Sequence, residues 1–339
     1  MARLSAPVAI CLALLLASCG ADAAPAQQVS WTSALPAPRV VDLAGPRSDG
    51  RLVVAVGGGL ELFRGSGLTP FTSPTGGGAY VPSAGESYIA LTPRVRLPKA
   101  HCSFHRDEVF AIGDNPDRIV RITRSGRPSN FATLPSPFLG AIAFDRVGTF
   151  GHRLLAIGTD TGQSTLYAID CRGRTSTLTR HGPLIEGGME VAPRSFGRFG
   201  GRLIAPDELH GPIYAFKPDG SATTVATPSL PTGGDIGVES LGFVTRLRAN
   251  GAAFLADRGV PGNPHPGTDS ILRLTAAQLR SAGVAAGDLL VATEGGAETV
   301  AVRCRKGKGC SVRAIGQGPS VAHAEGHIAF LGVRGDRGR

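Results

Sequence analysis

A hairpin pattern that returns at a fixed interval restricts this chain to a small set of architectures. Each copy has an alternating apolar strand, a polar turn closed by glycine, and a second strand. The turn glycines Gly126, Gly173 and Gly220 follow one another at intervals of 47 residues. Self-similarity at this period indicates one supersecondary unit that is repeated several times. The three copies are Arg118–Leu134, Thr165–Arg180 and Pro212–Thr227.

Two further apolar strands precede the hairpins, which gives four strands in each repeat. Second-strand candidates are Val109–Asp114, Leu154–Thr159, Leu203–Asp207 and Ala253–Asp257, and innermost-strand candidates are Gly140–Asp145, Gly188–Pro193 and Val238–Val244. A four-stranded repeat of this length is typical of a β-propeller blade. About 300 residues at this period predict an all-β fold, a six-bladed propeller over residues 39–333. Arg39–Ser73 would supply most of the first blade and Thr299–Leu331 the last.

The fifth predicted blade is irregular. A loop rich in proline and glycine, Pro261–Gly267, precedes the strand sequence ILRLT. A short helix is then predicted over Ala276–Ala282, with Thr275 as its N-cap and Gly283 as its stop signal. Insertions of this kind usually lie on loops, so we expect the propeller to continue around them.

The N-terminus predicts export and a lipid anchor. Residues 1–18 hold one basic residue, an apolar stretch and the small-residue sequence LASC, which is typical of a cleaved signal. The run resembles the lipobox of bacterial lipoproteins, which implies acylation of Cys19 and a position on the outer face of the cell membrane; an ordinary secretory signal with a chance cysteine is the alternative. Residues 19–38 lack periodicity and are predicted to be a flexible tether. Residues 334–339 would form a basic tail.

Four cysteines remain for an oxidising compartment, where disulfides persist. Four cysteines allow three pairings. Cys304–Cys310 is favoured because the intervening RKGKG is a compact polar turn, and Cys102–Cys171 then follows by elimination. A zinc site is a weak alternative, since no CxxC pair or histidine spacing accompanies the cysteines.

The net charge of +9 is concentrated near the C-terminus. From Arg303 to Arg339 there are eight basic residues and two acidic ones. The simplest interpretation is a solvated basic turn and tail. For an exported chain, basic loops would otherwise meet anionic lipid headgroups or envelope polymers, and no nucleic-acid partner is expected. The predicted domain is expected to be a monomer.

Candidate functional residues are predicted where a propeller opens its central channel. Candidates at the starts of innermost strands are His101, Glu190, Glu239 and Glu325, the last flanked by His323 and His327. Candidates that follow second strands are Asp114, Asp160, Asp207 with Glu208 and His210, and Asp257, followed by His265 and Asp269. Converging carboxylates repel one another unless a cation lies among them, and their hard oxygen ligands suit calcium or another divalent cation.

Two interpretations of these acids stay open. Glu190, Glu239 and Glu325 are the predicted metal ligands, and the ligand-binding candidates are His101, Asp207, His210, Asp257 and His265. Aspartates that directly follow a strand, however, often cap their own turn through side-chain hydrogen bonds to the backbone. Glu190 and Glu239 have little capping to do at the start of an inner strand.

Hairpins such as LYAIDCRGR and IYAFKPDGS, with strand pairs such as GAIAFD…RLLAIG, resemble those of six-bladed propellers of the regucalcin/gluconolactonase-like and NHL-repeat-like groups. In the gluconolactonase-like enzymes this resemblance implies a divalent metal at the channel mouth and the opening of lactones or related esters. The sequence departs from them in the first blade, which has no Glu-Gly-Pro-aromatic motif. Only Glu190 and Glu239 match loosely as ligands.

Two functions are therefore expected from the sequence. The first is a lipid-anchored propeller that binds a small molecule, glycan or protein partner at the channel mouth. The second is a divalent-metal-dependent hydrolase of lactones or small esters. No GxSxG elbow or P-loop occurs. The single tryptophan, Trp31, lies in the predicted tether, so the blade tryptophans of quinone-cofactor propellers are missing and no redox cofactor is implied.

Overall fold

The computed structural model describes residues 28–72, 86–113, 117–160 and 162–333. Four separate four-stranded sheets follow one another along the chain. They are β3–β6 (Asp42–Ala44, Leu52–Val56, Gly59–Phe63, Leu68–Pro70), β7 with β10–β12 (Ile89–Leu91, Val109–Ile112, Arg118–Ile122, Pro128–Thr133), β13–β16 (Phe138–Phe144, Leu154–Asp160, Gln163–Ile169, Thr175–Gly182) and β17–β20 (Glu190–Val191, Leu203–Pro206, Ile213–Phe216, Ala222–Ala226). A hairpin, β8–β9 (Val95–Leu97, Cys102–Phe104), lies between β7 and β10.

The remaining strands form one nine-stranded sheet in the order β1-β26-β25-β24-β21-β27-β22-β23-β2. Their bounds are β1 Val29–Ser30, β2 Thr32–Pro36, β21 Val238–Phe243, β22 Leu247–Asp257, β23 Ser270–Thr275, β24 Leu289–Thr293, β25 Thr299–Arg305, β26 Gly309–Gln317 and β27 Ala324–Val333. The two halves of this sheet meet where β21 pairs with β27 in parallel through Leu241 and His327. The chain is therefore all-β, with a propeller-like arrangement.

Burial explains which sequence runs became inner strands. In β13, every residue from Leu139 to Phe144 is buried, because the strand is covered on both faces. The outer strand β12 is largely polar and only half-buried or exposed. Apolar side chains of neighbouring sheets fill the space between them; Phe150, Leu166, Met189 and Phe216, for example, belong to one core cluster between the third and fourth sheets. The core thus lies between the sheets rather than on a single axis.

The repeated hairpins have the predicted positions as third and fourth strands. They are the pairs β11–β12, β15–β16 and β19–β20. Their turn glycines have φ of +84°, +79° and +85°, a left-handed conformation that costs glycine little. The fixed interval of the glycines therefore reflects a backbone requirement that recurs once in each sheet.

Six separate blades were expected, and this count is corrected by the strand pairing. Val238–Val244 was expected to pair with the following strand, Ala253–Asp257, but β21 pairs with β24 instead. The strand β22 pairs with the C-terminal strand β27 and with β23. The pairing passes over β22 and β23, so that two groups of strands join into the nine-stranded sheet. Sequential pairing, which holds in the first four sheets, fails here.

The predicted tether is also corrected, because its C-terminal half is folded. Residues 29–30 and 32–36 form β1 and β2, which pair with β26 and β23. Between them, Trp31 is 2% exposed, and its indole N–H donates a hydrogen bond of 2.8 Å to the Thr299 hydroxyl. A segment rich in alanine, proline and serine was predicted to be flexible, but edge pairing and one buried aromatic anchor override that local composition.

Trp31 offers a direct test of this correction. It is the only tryptophan of the chain, so intrinsic tryptophan emission reports on this one segment. We expect the emission of the native protein to be shifted to the blue and protected from iodide quenching, because the indole is buried. Denaturant should move the emission to the red in the same transition as the circular dichroism of the strands. Native emission typical of a solvent-exposed indole would contradict the placement.

The predicted helix and both disulfides are present. Helix α1 spans Ala276–Ser281, with Thr275 as N-cap in a capping box with Gln278. Cys102 pairs with Cys171, with 5.8 Å between their Cα atoms, and Cys304 pairs with Cys310 across the β25–β26 hairpin. Both predicted pairings are therefore confirmed.

Several predictions fall outside the described residues. They are the signal sequence, the acylation of Cys19, the first part of the tether, Asp114 and the tail at 334–339. Among the helices of the described residues, none is long and apolar enough to cross a membrane.

The inner strands, which are β3, β7, β13, β17, β21 and β27, begin at the same end of a central channel. Asp42, at the start of β3, accepts backbone hydrogen bonds of 2.7 Å from Ile89 in β7 and from His327 in β27. The N–H of Gly188, just before β17, donates to the carbonyl of Glu239 in β21 at 3.0 Å. The starts of these strands therefore surround one mouth, and the loops that leave their ends surround the other.

Candidate functional site

Acidic side chains crowd the mouth at which the inner strands begin. We call this group the acidic mouth. Its seven carboxylates interact electrostatically with one another, and two cationic side chains and one tyrosine hydroxyl lie among them. Five of the carboxylates lie at the starts of inner strands or among the residues just before them, and the other two follow second strands. The acidic mouth consists of Glu86, Glu186, Glu208, Asp235, Glu239, Glu294 and Glu325 with Tyr88, Arg258 and His323.

Strand ends hold the centre of the acidic mouth in place. Glu239 lies on β21 and Glu325 on β27, while Glu294 and Arg258 directly follow β24 and β22. His323 immediately precedes β27, and its backbone N–H donates a 2.8 Å hydrogen bond to the buried carboxylate of Asp257. Asp257 therefore positions the histidine from the end of the neighbouring strand without belonging to the cluster itself.

A glycine lets β27 approach the channel closely. Gly326 has φ +66°, and a Cβ atom there would lie 2.4 Å from Oδ1 of Asp42. A larger residue would clash with that carboxylate or force a strained backbone. Because Gly326 separates Glu325 from His327, it allows both of these side chains to be placed at the channel.

Two donors cross-link the central carboxylates. The Tyr88 hydroxyl donates to Glu239 and lies 3.0 Å from Oε2 of Glu325. Nη1 of Arg258 donates to Glu86 at 2.7 Å and to Oε1 of Glu325 at 2.9 Å. Glu325, at 0% exposure, is thus a fully buried carboxylate that is neutralised by its neighbours.

His323 is a second counter-charge. Its Nε2 lies 2.6 Å from Glu294 and 3.3 Å from Glu325. Burial disfavours the imidazolium, but the hydrogen bonds and charges of these two carboxylates outweigh burial and raise the pKa of His323 to about 10. His323 is therefore a cation at neutral pH.

Three other glutamates of the acidic mouth hold protons more tightly than usual. Burial, with the charges of Glu325 and Glu186, raises the pKa of Glu86 to about 8. Burial and a hydrogen bond with Glu294 raise the pKa of Glu208 to about 9. Burial, with the charges of Glu325 and Glu294, raises the pKa of Glu239 well above its ordinary range. The cluster carries more carboxylates than its own cations can neutralise.

Two triads of this cluster have the geometry for a cation. Single ligand atoms of Glu239, Glu294 and Glu325 lie within 4.8 Å of one another, as do those of Asp235, Glu294 and His323. The first triad is the better fit, because the protonated His323 of the second triad has no lone pair for a cation and because carboxylate oxygens suit calcium and magnesium. Glu239 is 3% exposed, and its Oε2 has no hydrogen-bond partner within the described part of the chain. An unsatisfied buried carboxylate oxygen is costly, and a cation would satisfy it.

A second layer of ionisable groups lies further along the channel. Nδ1 of His327 lies 2.9 Å from Asp42, and its Nε2 lies 2.9 Å from the carbonyl of Met189. Burial opposes the charged imidazole, but the Asp42 carboxylate outweighs it and raises the pKa of His327 to about 9. With both carboxylate oxygens of Asp42 also accepting backbone N–H groups, this pair joins strands rather than offering a free site.

Of the predicted metal ligands, Glu239 and Glu325 lie together and Glu190 does not. Oε2 of Glu190 accepts a 2.9 Å hydrogen bond from the N–H of Phe243, at the far end of β21 from Glu239. Four residues of strand separate the two levels, which is about 13 Å. Glu190 instead lines a cavity of about 110 Å³ with Arg146 and His327. The placement of Glu190 at the same mouth is therefore corrected: the strand β17 begins at Glu190, but the turn before it carries Glu186 to the mouth.

His101 is also corrected. It ends a 3-10 turn with φ +49° beside the β8–β9 hairpin, whereas the inner strand of this sheet is β7. Its carbonyl accepts from Arg172 on the outer hairpin turn of the next sheet. The sequence AHCSF has the pattern of an inner strand, but it belongs to an inserted hairpin.

The remaining candidates mainly shape loops. The Asp207 carboxylate accepts from the N–H and the ring of His210, the turn-capping role considered above for aspartates after strands. Asp257 accepts from His323, and Asp269 accepts from two backbone N–H groups. His265 contacts the carbonyl of Ser320 at 2.8 Å and lies beside Gly295, at the rim of the acidic mouth. Asp160 is exposed at the end of β14.

Sequence reasoning missed six members of the acidic mouth: Glu86, Tyr88, Glu186, Asp235, Arg258 and Glu294. Arg258 directly follows the predicted strand Ala253–Asp257 and carried the same positional signal as Asp257. Glu294 follows β24, a strand that sequential pairing did not bring to β21. For Glu86 and Tyr88 no strand pattern marked the start of β7.

No protein-family model and no curated protein matches this sequence. Among solved structures, a catalytically inactive virginiamycin B lyase from Staphylococcus aureus with quinupristin has 13% identity and a TM-score of 0.43, over 85% of this chain and 73% of the other. A protein of unknown function from Bacteroides caccae has 13% identity and a TM-score of 0.40, over 82% and 73%. A protein provisionally described as a gluconolactonase has 14% identity and a TM-score of 0.37, over 68% and 71%. At these values nothing about activity is carried over, and the propeller-like arrangement rests on the strand pairing described above.

Proposed function

We propose that the acidic mouth binds a divalent cation through Glu239, Glu294 and Glu325, and that a small oxygen-rich ligand binds there with it. Two observations carry this proposal. Oε2 of Glu239 is buried without a hydrogen-bond partner in the described part of the chain, and ligand atoms of the three buried carboxylates lie within 4.8 Å of one another. Seven carboxylates against Arg258 and His323 leave a negative surplus that a divalent cation reduces. The hard oxygen ligands favour calcium.

The residues around the triad have distinct parts in such a site. Arg258 and Tyr88 fix the two oxygens of Glu325, and Tyr88 also fixes one oxygen of Glu239, so that the carboxylates are already oriented before a cation binds. His265 and Glu208 lie at the rim, where a ligand would enter. Preorganised ligands lower the cost of binding.

A hydrolase of lactones or small esters is the second candidate function. It is favoured by the proton-holding groups beside the triad, since Tyr88 and the His323 imidazolium can donate a proton to a leaving oxygen. A bound cation would polarise the substrate carbonyl. A panel of lactones and small esters tests this candidate, and an absence of cation-dependent turnover removes it while leaving the binding site itself in place.

The setting of the site is part of the proposal. We propose that the nine-stranded sheet counts as two blades, which makes the fold a six-bladed propeller, and that Cys19 anchors a monomeric domain to the outer face of the cell membrane. Two disulfides between buried or half-buried cysteines support an oxidising compartment. The first strand and the last strand of the described chain both belong to the nine-stranded sheet, which supports a closed ring.

Calcium titration of the metal-free protein tests the site. We expect saturating calcium to raise the melting temperature by about 5 °C, because a ligand at a hundred times its Kd adds about 2.7 kcal/mol to the free energy of unfolding. Glu239→Gln should lose most of this shift. Glu298→Gln is the matched control, because Glu298 is an exposed acid on the same face.

Two results would contradict the proposal. The first is a wild-type melting temperature that does not respond to calcium, magnesium or manganese. The second is an equal shift in Glu239→Gln and Glu298→Gln, which would place the cation elsewhere. Isothermal titration at two pH values adds a readout independent of stability, because cation binding should release protons from the cluster.

A further inference from the structure

The mouth opposite the acidic mouth is surrounded by arginines. Two kinds of connection lie on that side. One kind leaves the ends of inner strands, and the other joins third strands to fourth strands. The segment between β23 and β24, which contains α1, lies there too. We call this surface the arginine face. Its segments are 45–51, 64–67, 92–108, 123–127, 145–153, 170–174, 192–202, 217–221, 244–251, 276–288 and 306–308.

Contacts between successive sheets show that these segments share one side. Arg47 donates to the carbonyl of Arg124, and Arg146 donates to the carbonyl of Leu91. Arg194 donates to the carbonyl of Val147 in the preceding sheet. A cavity of about 1200 Å³ at the channel opening is lined by residues of the first, third, fourth and nine-stranded sheets. The arginine face is therefore a continuous surface around the channel.

The charge of this face is strongly one-sided. Its segments contain 22 lysines and arginines against seven aspartates and glutamates. On the opposite side, the described connections 37–41, 86–88, 183–189, 207–212, 227–237, 258–269 and 294–298 contain two basic residues, Arg39 and Arg258, against eight acidic ones. The sequence concentrates its surplus charge near the C-terminus, but the fold sorts charge by face.

Many of these cations are free to meet a partner. Arg106, Arg246, Arg248, Lys306 and Lys308 are exposed, and none forms an ion pair with a carboxylate of the described residues. Cations of this face that are already paired, such as Arg51 with Asp49 or Arg174 with Asp170, are fewer. Exposed unpaired charges keep their full attraction for a surface of opposite sign.

We propose that the arginine face docks on a bilayer that contains anionic phospholipid, with the acidic mouth directed away from the lipid. The cations come from every sheet around the ring, so a flat anionic surface contacts them together, whereas a small anion in the channel reaches only those that line it. The large apolar side chains that are exposed in the described chain are Leu209, Val312 and Val321, and none is aromatic. The face therefore lacks the stacking platforms of single-strand nucleic-acid proteins. Docking of this kind is electrostatic and is weakened by salt.

Hydrogen–deuterium exchange of the full chain with added vesicles tests this orientation. Vesicles that contain phosphatidylglycerol should slow exchange severalfold in segments 92–108, 123–127 and 244–251. Phosphatidylcholine vesicles should not, and segments 207–212 and 258–269 should exchange equally in both. The comparison is between headgroups, so its result does not depend on acylation of Cys19 or on the cation site.

Charge removal gives the matched variants. Arg246→Gln with Arg248→Gln should raise the lipid concentration for half-maximal protection about 30-fold, since each basic residue near an anionic surface contributes about fivefold. Arg39→Gln with Arg180→Gln removes two exposed cations elsewhere and should change it less than about twofold. Equal protection by both vesicle types, protection of the acidic mouth, or equal shifts in the two double variants would overturn the proposal. Protection by inorganic phosphate alone, or by duplex DNA as strong as by vesicles, would overturn it in favour of a small-anion site or a nucleic-acid surface.

Discussion

Without divalent cations, the protein is expected to lose stability as the pH rises from 6.5 to about 9. Four buried or half-buried groups have raised pKa values in the native state: Glu86 at about 8, Glu208 at about 9, His323 at about 10 and His327 at about 9. In the unfolded chain the carboxyls titrate near 4.5 and the imidazoles near 6.5. Over this window the native state therefore binds more protons than the unfolded state, and the free energy of unfolding falls as pH rises.

The sign is the same for both residue types, which makes the effect large. The two histidines stabilise the fold fully below pH 6.5 and lose that contribution as pH rises through their native pKa values. The two glutamates are ionised in the unfolded chain over this range but hold their protons in the native state. Rising pH therefore favours the unfolded chain for them as well. Even one net proton across the window lowers the free energy of unfolding by about 3 kcal/mol.

Urea unfolding at several pH values, with chelator present, measures this slope. Glu208→Gln removes one titrating carboxyl and should make the slope shallower, whereas the exposed Glu298→Gln should leave it unchanged. Saturating calcium should flatten the slope, because a cation replaces the protons that the carboxylates share. A stability that is constant or rises between pH 6.5 and about 9 would contradict the ionisation pattern of the acidic mouth.

Replacement of Arg258 by glutamine is expected to cost about 4 kcal/mol at neutral pH. The guanidinium donates to both Glu86 and the fully buried Glu325, and its removal leaves a buried carboxylate with less counter-charge. Loss of one partner from a buried ion pair typically lowers the free energy of unfolding by about 3–5 kcal/mol. Equilibrium unfolding in urea at fixed pH measures the change.

A double-mutant cycle separates the ion pair from general packing. In a Glu325→Gln background, Arg258→Gln should cost far less, because the buried charge is gone. Arg39→Gln, an exposed arginine on the same side of the molecule, should change the free energy of unfolding by no more than about 0.5 kcal/mol. An Arg258→Gln cost within that range, or an unchanged cost in the Glu325→Gln background, would mean that the pair does not hold the mouth together.

The parts of the fold that depend on local spacing were predictable. The hairpins at Gly126, Gly173 and Gly220 lie where their interval placed them, since each needs a left-handed residue at the turn. The pairing of β21 with β24 was not predictable in this way, because β22 and β23 intervene in the sequence between the two partners. The folded state of β1 and β2 escaped prediction for a related reason: their partners are more than two hundred residues away.

The site was predictable to the extent that it follows strand starts. Glu239, Glu325 and His323 were expected at one mouth and lie there. Glu190 was misplaced because a shift of a few residues along a strand moves a side chain from one mouth toward the other. Glu294 was missed with the strand that precedes it. Predicting which acids converge therefore requires the strand order, which periodicity alone does not supply.

The joining of residues 32–36 to β23 and of β22 to β27 sets an order of events during synthesis. The nine-stranded sheet takes strands from both ends of the described chain, so it stays incomplete until residues 324–333 have left the ribosome. The earlier sheets contain only neighbouring segments and have all their partners sooner. During that interval the pairing edge of β22 is open to other chains, and a holding chaperone at the exit would have a specific surface to cover.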